Sequence, residues 1–101
     1  MEETQLPPSW DGSVVLDIGG EVGALMLRTP PSFNGREIDL YPQDPTAPHT
    51  HSAVRERRLP AGVCYAAVYP SLRSGVYQVE GSGQRVTVVG GRVTEIDFTA
   101  S

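Results

Sequence analysis

His49-Thr50-His51 is the pair of side chains in this sequence best suited to gripping a metal ion. Residues two apart on an extended segment point to the same side, so both imidazoles would face one way, and neutral imidazole suits zinc or copper. Two ligands do not complete a site. A third would have to come from Asp44, Glu56, Cys64 or Met26, none of which the sequence places beside the pair. The plainer reading is that His49 and His51 end a Pro-rich loop in solvent, or that one of them hydrogen-bonds to hold that loop.

Arg55-Glu56-Arg57-Arg58 follows directly. As a strand it places Arg55 and Arg57 on one face with Ala53, and Val54, Glu56 and Arg58 on the other. Two guanidiniums about 7 Å apart could then hold a carboxylate or a phosphate. The competing readings are that these charges guard an exposed edge strand against pairing with another chain, or that they pair across to Glu37 or Asp39. The candidate binding set is therefore His51, Arg55, Glu56 and Arg57, and the candidate metal set is His49 and His51.

Nothing else in the chain assembles a reaction. A serine hydrolase presents its nucleophile on a Gly-x-Ser-x-Gly elbow between strand and helix, and Ser71, Ser74 and Ser82 have no such context. All eight basic residues are Arg, so chemistry that needs a lysine is excluded. Asp17-Ile18-Gly19-Gly20-Glu21-Val22-Gly23 is rich in glycine, yet no helix pattern or Lys follows it, so it reads as a turn rather than a phosphate cradle. Cys64 lies in an apolar run and reads as an inert core thiol. With no nucleophile, base and orienting group in view, we expect a domain without catalysis of its own.

The elements that must position these groups are short strands. Val14, Leu16 and Ile18 alternate with polar or outward residues, Gly19-Gly20 interrupts, and Leu25 and Leu27 alternate with Ala24, Met26 and Arg28. Glu37-Ile38-Asp39-Leu40-Tyr41 has a clean period of two with one solvated side. Ser52 to Arg58 and Val63 to Tyr69 read as further strands, the second ended by Pro70. Strands near residues 76–80, 85–89 and 92–98 complete the pattern, with Gly81-Ser82-Gly83 and Gly90-Gly91 as hairpin turns. Tyr77, two residues after Gly75 and two before Val79, has the spacing of a tyrosine corner, in which a phenol closes a loop between two sheets.

Composition agrees. The chain has 101 residues, the size of one domain, and Gly and Pro number 11 and 9, which suits many turns between short strands. The expected organisation is an N-terminal arm over residues 1–12, docking through Trp10, and one β-sandwich over 13–101. A net charge of −4 argues against sequence-independent nucleic-acid binding, which draws its affinity from basic side chains. The single Cys allows no internal disulfide. The opening residues lack an export signal, and no apolar run approaches the roughly 20 residues of a membrane span, so we expect a cytoplasmic, soluble chain.

The pattern from Tyr69-Pro70-Ser71-Leu72 through Gly75-Val76-Tyr77-Gln78-Val79 to Val86-Thr87-Val88 resembles the second half of transthyretin-like and carboxypeptidase-regulatory-like domains. That resemblance covers the last third of the chain and implies a sandwich of the immunoglobulin type. The whole chain also resembles a family of short actinobacterial proteins of uncharacterised function, through Val15-Leu16-Asp17-Ile18-Gly19-Gly20, Gly35-Arg36-Glu37-Ile38 and Thr50-His51-Ser52-Ala53-Val54-Arg55-Glu56-Arg57. Some members carry the label phospholipase.

The expectation is thus an all-β, antiparallel, immunoglobulin-like or transthyretin-like sandwich of seven or eight strands. Its core would draw on Val14, Leu16, Ile18, Leu25, Leu27, Ile38, Leu40, Tyr77, Val79, Val86, Val88, Ile96 and Phe98. Its work would be non-catalytic recognition of a protein partner or small anionic ligand through the segment from His49 to Arg57, without a cofactor. The alternatives are a zinc or copper domain on His49 and His51, and a phosphate-ester hydrolase in keeping with the phospholipase label. A free edge strand would also permit a homodimer.

Overall fold

Alternation with a period of two produces the strands seen in the computed structural model, which describes residues 18–98. Trp10 and the arm over 1–12 lie outside the described residues, as do Val14, Leu16 and Asp17. β1 (Val22–Thr29) is followed by a 3-10 turn at Pro31–Phe33, then β2 (Glu37–Pro42), β3 (Thr50–Leu59) and β4 (Gly62–Arg73). β5 (Gly75–Val79), β6 (Arg85–Val88) and β7 (Val93–Asp97) complete an all-β domain. The strands form one sheet in the order β6-β5-β2-β3-β4-β1-β7, nearly closed into a barrel. Its two end strands meet through side chains: Thr94 Oγ1 lies 3.4 Å from the Thr87 carbonyl, and Gln84 Nε2 donates to the Asp97 carbonyl at 3.1 Å.

The sheet folds over on itself where β3 changes partner along its length. Thr50 to Ala53 pair with β2, whereas Val54 to Leu59 pair with β4. At the changeover Val54 donates to the Arg36 carbonyl and accepts from the Gly35 amide, both at 2.8 Å. The interior enclosed by the sheet is filled by Leu25, Leu27, Ile38, Leu40, Val54, Ala67, Tyr69, Leu72, Tyr77, Val79, Val86 and Val88. Phe33, Tyr65, Ile96 and Phe98 pack against them, partly buried. A second apolar cluster, Ala24, Met26, Ala66 and Val68, lies on the opposite face of β1 and β4, with Ile18 and Cys64 against it.

The sequence reading of the core holds from Leu25 to Val88, and Ile96 and Phe98 contribute as partly buried residues. Ile18 belongs to the second cluster instead. Tyr77 is buried, and its hydroxyl donates to the Arg73 carbonyl at 2.6 Å, closing the corner at Ser74 between β4 and β5. Cys64 is half-buried rather than deep in the core.

Three expectations are corrected. The ladders are not all antiparallel: β7 runs parallel to β1, from Ala24 opposite Val93 to Arg28 opposite Asp97. Gly90-Gly91 accordingly does not turn a hairpin but carries the chain from β6 into β7, which runs beside β1. Gly91 donates to the Val22 carbonyl and the Arg92 carbonyl accepts from Ala24, each at 2.9 Å. A Cβ on Gly90 would stand 2.0 Å from the Gly20 carbonyl oxygen, so the crossing is possible only because that side chain is missing.

The second correction concerns Pro70, which does not end its strand. β4 continues to Arg73, and the register shifts between Gly23 and Leu25, where Leu72 and Tyr69 are their partners. That bulge accommodates a residue with no amide hydrogen to offer the ladder. The third is that β3 is an inner strand, not an edge. Beyond Val54, however, it pairs on one side only among the described residues, so its second half is edge-like.

Candidate functional site

β2 and β3 position the histidines. Their register sets Glu37 opposite Ala53 and Asp39 opposite His51, with Ile38 and Leu40 turned inward. His49 and Tyr41 stand one rung further, and their rings stack with centroids 5.4 Å apart at an interplanar angle of 14°. Both histidines are exposed on the outward side of the sheet, as their spacing of two predicts. Asp39 lies among them, with its Oδ2 4.0 Å from His49 Nε2 and 3.4 Å from the Tyr41 hydroxyl. Glu80, just past β5, donates its amide to the Asp39 carbonyl at 2.9 Å and brings another carboxylate to the same face.

Tyr41 is 43% exposed, a large amount for an aromatic side chain. Its partial burial, then the carboxylates of Asp39 and Glu80 and the hydrogen bond to Asp39, push the phenol above its ordinary value. The group is therefore a neutral hydrogen-bond donor at neutral pH. The arrangement supplies a rigid, amphipathic ring flanked by acceptors and imidazoles, which suits contact better than catalysis.

The proposed third metal donors are elsewhere. Asp44 Oδ1 accepts from the Thr46 amide at 2.9 Å and from the Thr46 hydroxyl at 2.8 Å, a closed turn whose bonds lower its carboxyl below the usual range. Met26 is buried in the second apolar cluster, and Cys64 faces Arg57 across the β3–β4 ladder. Glu56 pairs with Tyr65. Among the described residues no group of three His, Cys, Asp or Glu side chains could hold a metal ion.

The arginines separate by environment. Register places Arg55 opposite Ala66 and Arg57 opposite Cys64, so both share the outward face of β3 and β4. Arg57 is buried, only 9% exposed, with Nε 3.4 Å from the Ala66 carbonyl, whereas Arg55, Glu56 and Arg58 are exposed. Glu37 and Asp39 face Ala53 and His51, and among the described residues neither forms an ion pair with Arg55. The segment from His49 to Arg57 thus does not present one continuous surface. Its first half faces out beside β2, and its second half beside β4.

Gly19 and Val22 exchange two backbone hydrogen bonds at 2.9 Å, so that glycine-rich segment is a closed turn with those amides engaged. The serines behave likewise: Ser82 Oγ accepts from the Gln84 amide at 3.1 Å, and the Ser74 amide donates to the Glu21 carbonyl at 2.7 Å. Sequence reasoning missed Asp39 and Tyr41 as companions of the histidines. The signal was present, since Asp39 and Tyr41 alternate outward on one strand, but only register reveals what lies opposite. Comparison with family models, with curated proteins and with solved structures finds no match to this chain. No helix among the described residues is long and apolar enough to cross a membrane.

Proposed function

We propose that this chain is a non-catalytic recognition module that holds a protein partner against the outward face of β2 and the first half of β3. The observation that carries the reading is the exposed Tyr41 ring stacked on His49. Tyrosines held rigid at a surface contribute binding area at little entropic cost, and they are enriched among the residues that dominate interfaces. Asp39 and Glu80 lie beside the ring, so the fitting partner presents Arg or Lys there. Copurification from cells with cross-linking from a photo-reactive residue at the exposed position 51, repeated with Tyr41→Ala and His49→Ala, tests it. Loss of one defined cross-linked partner in both variants, with unchanged melting temperature, supports the reading, and its retention rejects it.

A second reading keeps the small anion. Arg55 is exposed and makes no ion pair among the described residues, which leaves its guanidinium able to take a carboxylate or phosphate. Arg57, being buried, would back the site rather than join it. The one-sided pairing of Arg55 to Leu59 also supports an edge-to-edge homodimer, tested by sedimentation. The immunoglobulin-type, transthyretin-like kinship belongs with these proposals, and the Tyr77 corner together with the change of partner along β3 supports it. A cytoplasmic location is in keeping with the single cysteine and with a fold that uses no disulfide.

A further inference from the structure

At the end of β2 remote from Tyr41, two aromatic rings meet that belong to distant parts of the chain. Phe33, in the turn after β1, and Phe98, just past β7, have ring centroids 5.0 Å apart and planes inclined at 57°. Both are partly buried against the interior cluster, and they form the apolar wall of a cavity of about 440 Å³ between that turn and the Glu80-Gly81 corner. This volume lies in the range of about 300–1,000 Å³ typical of small-molecule sites.

Three charged side chains complete the lining: Arg36, Glu37 and Glu80. The Arg36 guanidinium carbon stands 4.5 Å from the centroid of the Phe33 ring. This cation–π contact holds the guanidinium over the ring, and its N–H groups can still reach an acceptor in the cavity. The backbone beneath is held, since the Arg36 amide donates to the Phe33 carbonyl at 2.9 Å and its carbonyl accepts from Val54 at 2.8 Å. Glu37 opens β2, and Glu80 follows β5 on the neighbouring strand. Among the described residues none of the three forms an ion pair, so the cavity combines a cation, two carboxylates and an aromatic wall with its charges unanswered.

We propose that this cavity binds a free apolar α-amino acid. The ligand carboxylate lies along the Arg36 edge, the ammonium sits against Glu37 and Glu80, and the side chain packs on Phe33 and Phe98. A simple amine would leave the guanidinium unanswered, and a simple acid would meet two like charges. Only the zwitterion with an apolar body matches every wall. This site shares Glu80 with the carboxylates beside Tyr41 but uses neither the Tyr41 nor the His49 ring, so it does not depend on that reading.

Titration of the full-length, 15N-labelled chain with L-phenylalanine, phenethylamine and 3-phenylpropionate, followed by amide shifts, tests the proposal. Saturable shifts at Arg36, Gly81 and Phe98 are expected with L-phenylalanine. Each half-charged analogue should bind at least about threefold more weakly, the scale of an exposed charge pair. Arg36→Gln and Glu80→Gln are both at exposed positions, and each should weaken L-phenylalanine by about three- to tenfold with unchanged melting temperature. Absence of saturable shifts at millimolar ligand, equal binding of either analogue, or wild-type affinity in both variants would overturn it.

Discussion

The Tyr69 hydroxyl on β4 donates to the Ile38 carbonyl on β2 at 2.6 Å, spanning the interior between two strands that are not neighbours in the sheet. Tyr69 is only 2% exposed, so the bond is made where water cannot replace it. Tyr77 makes a second phenol-to-carbonyl contact, from β5 back to Arg73 at the end of β4.

Removing either hydroxyl should therefore cost more than a surface change. Tyr69→Phe and Tyr77→Phe keep the ring and delete the donor, which is expected to lower stability by about 1–3 kcal/mol each, with the larger loss at Tyr69, whose carbonyl partner is left in the interior. Urea denaturation read by circular dichroism checks this. A midpoint for Tyr69→Phe equal to wild type would show the bond contributes nothing.

Burial raises the Tyr69 phenol well above its ordinary value, with the Asp39 and Glu80 charges adding to the effect. In the unfolded chain the group titrates near pH 10, so above that pH the native state keeps a proton the unfolded state has lost. The contribution is fully present below about pH 10 and is lost as pH rises beyond it. Wild type should weaken more steeply than Tyr69→Phe between neutral and strongly alkaline pH. Parallel declines in the urea midpoint would dismiss the linkage, and burial of Tyr77 leaves a residual slope in the variant.

Gly90→Ala should be among the most damaging small substitutions. The added Cβ meets the Gly20 carbonyl oxygen and the Glu21 Cα, both backbone atoms that cannot rotate away. A loss of about 2 kcal/mol or more is expected, which for a domain of this size lowers Tm by roughly 8 °C or more. Gly91→Ala meets no atom but sits at a φ of +75°, and should cost about 1 kcal/mol. Calorimetry ranks the two, and the reverse order would contradict the described crossing.

Arg55 and Arg57 should separate cleanly. Arg57→Ala removes a buried stem and its contact with the Ala66 carbonyl, with an expected loss of about 1–3 kcal/mol. Arg55→Ala should stay within about 0.5 kcal/mol of wild type, as for exposed residues generally. Equal melting temperatures for the two variants would mean that burial of Arg57 has no energetic consequence.

Much of this was legible from residue order. A period of two marks a strand whatever it pairs with, because successive side chains must point to opposite faces, so Ile38 and Leu40 point inward and Glu37 and Asp39 outward, as the alternation predicts. The Tyr77 corner was equally local, its donor and acceptor lying on either side of one turn. What failed was pairing. Gly90-Gly91 looks the same in a hairpin as in a crossing to a strand beside β1, and Pro70 looks like a strand end until a bulge absorbs it.

The sequence alone therefore determined that the chain folds as short strands with one apolar side, and which residues carry charge, imidazole and phenol. Only the tertiary structure decided that β7 lies parallel to β1, that Arg57 is buried while Arg55 is not, and that Tyr41 meets His49. The reason is that alternation is enforced within a strand by backbone geometry, whereas register between strands is settled by packing among residues far apart in the chain.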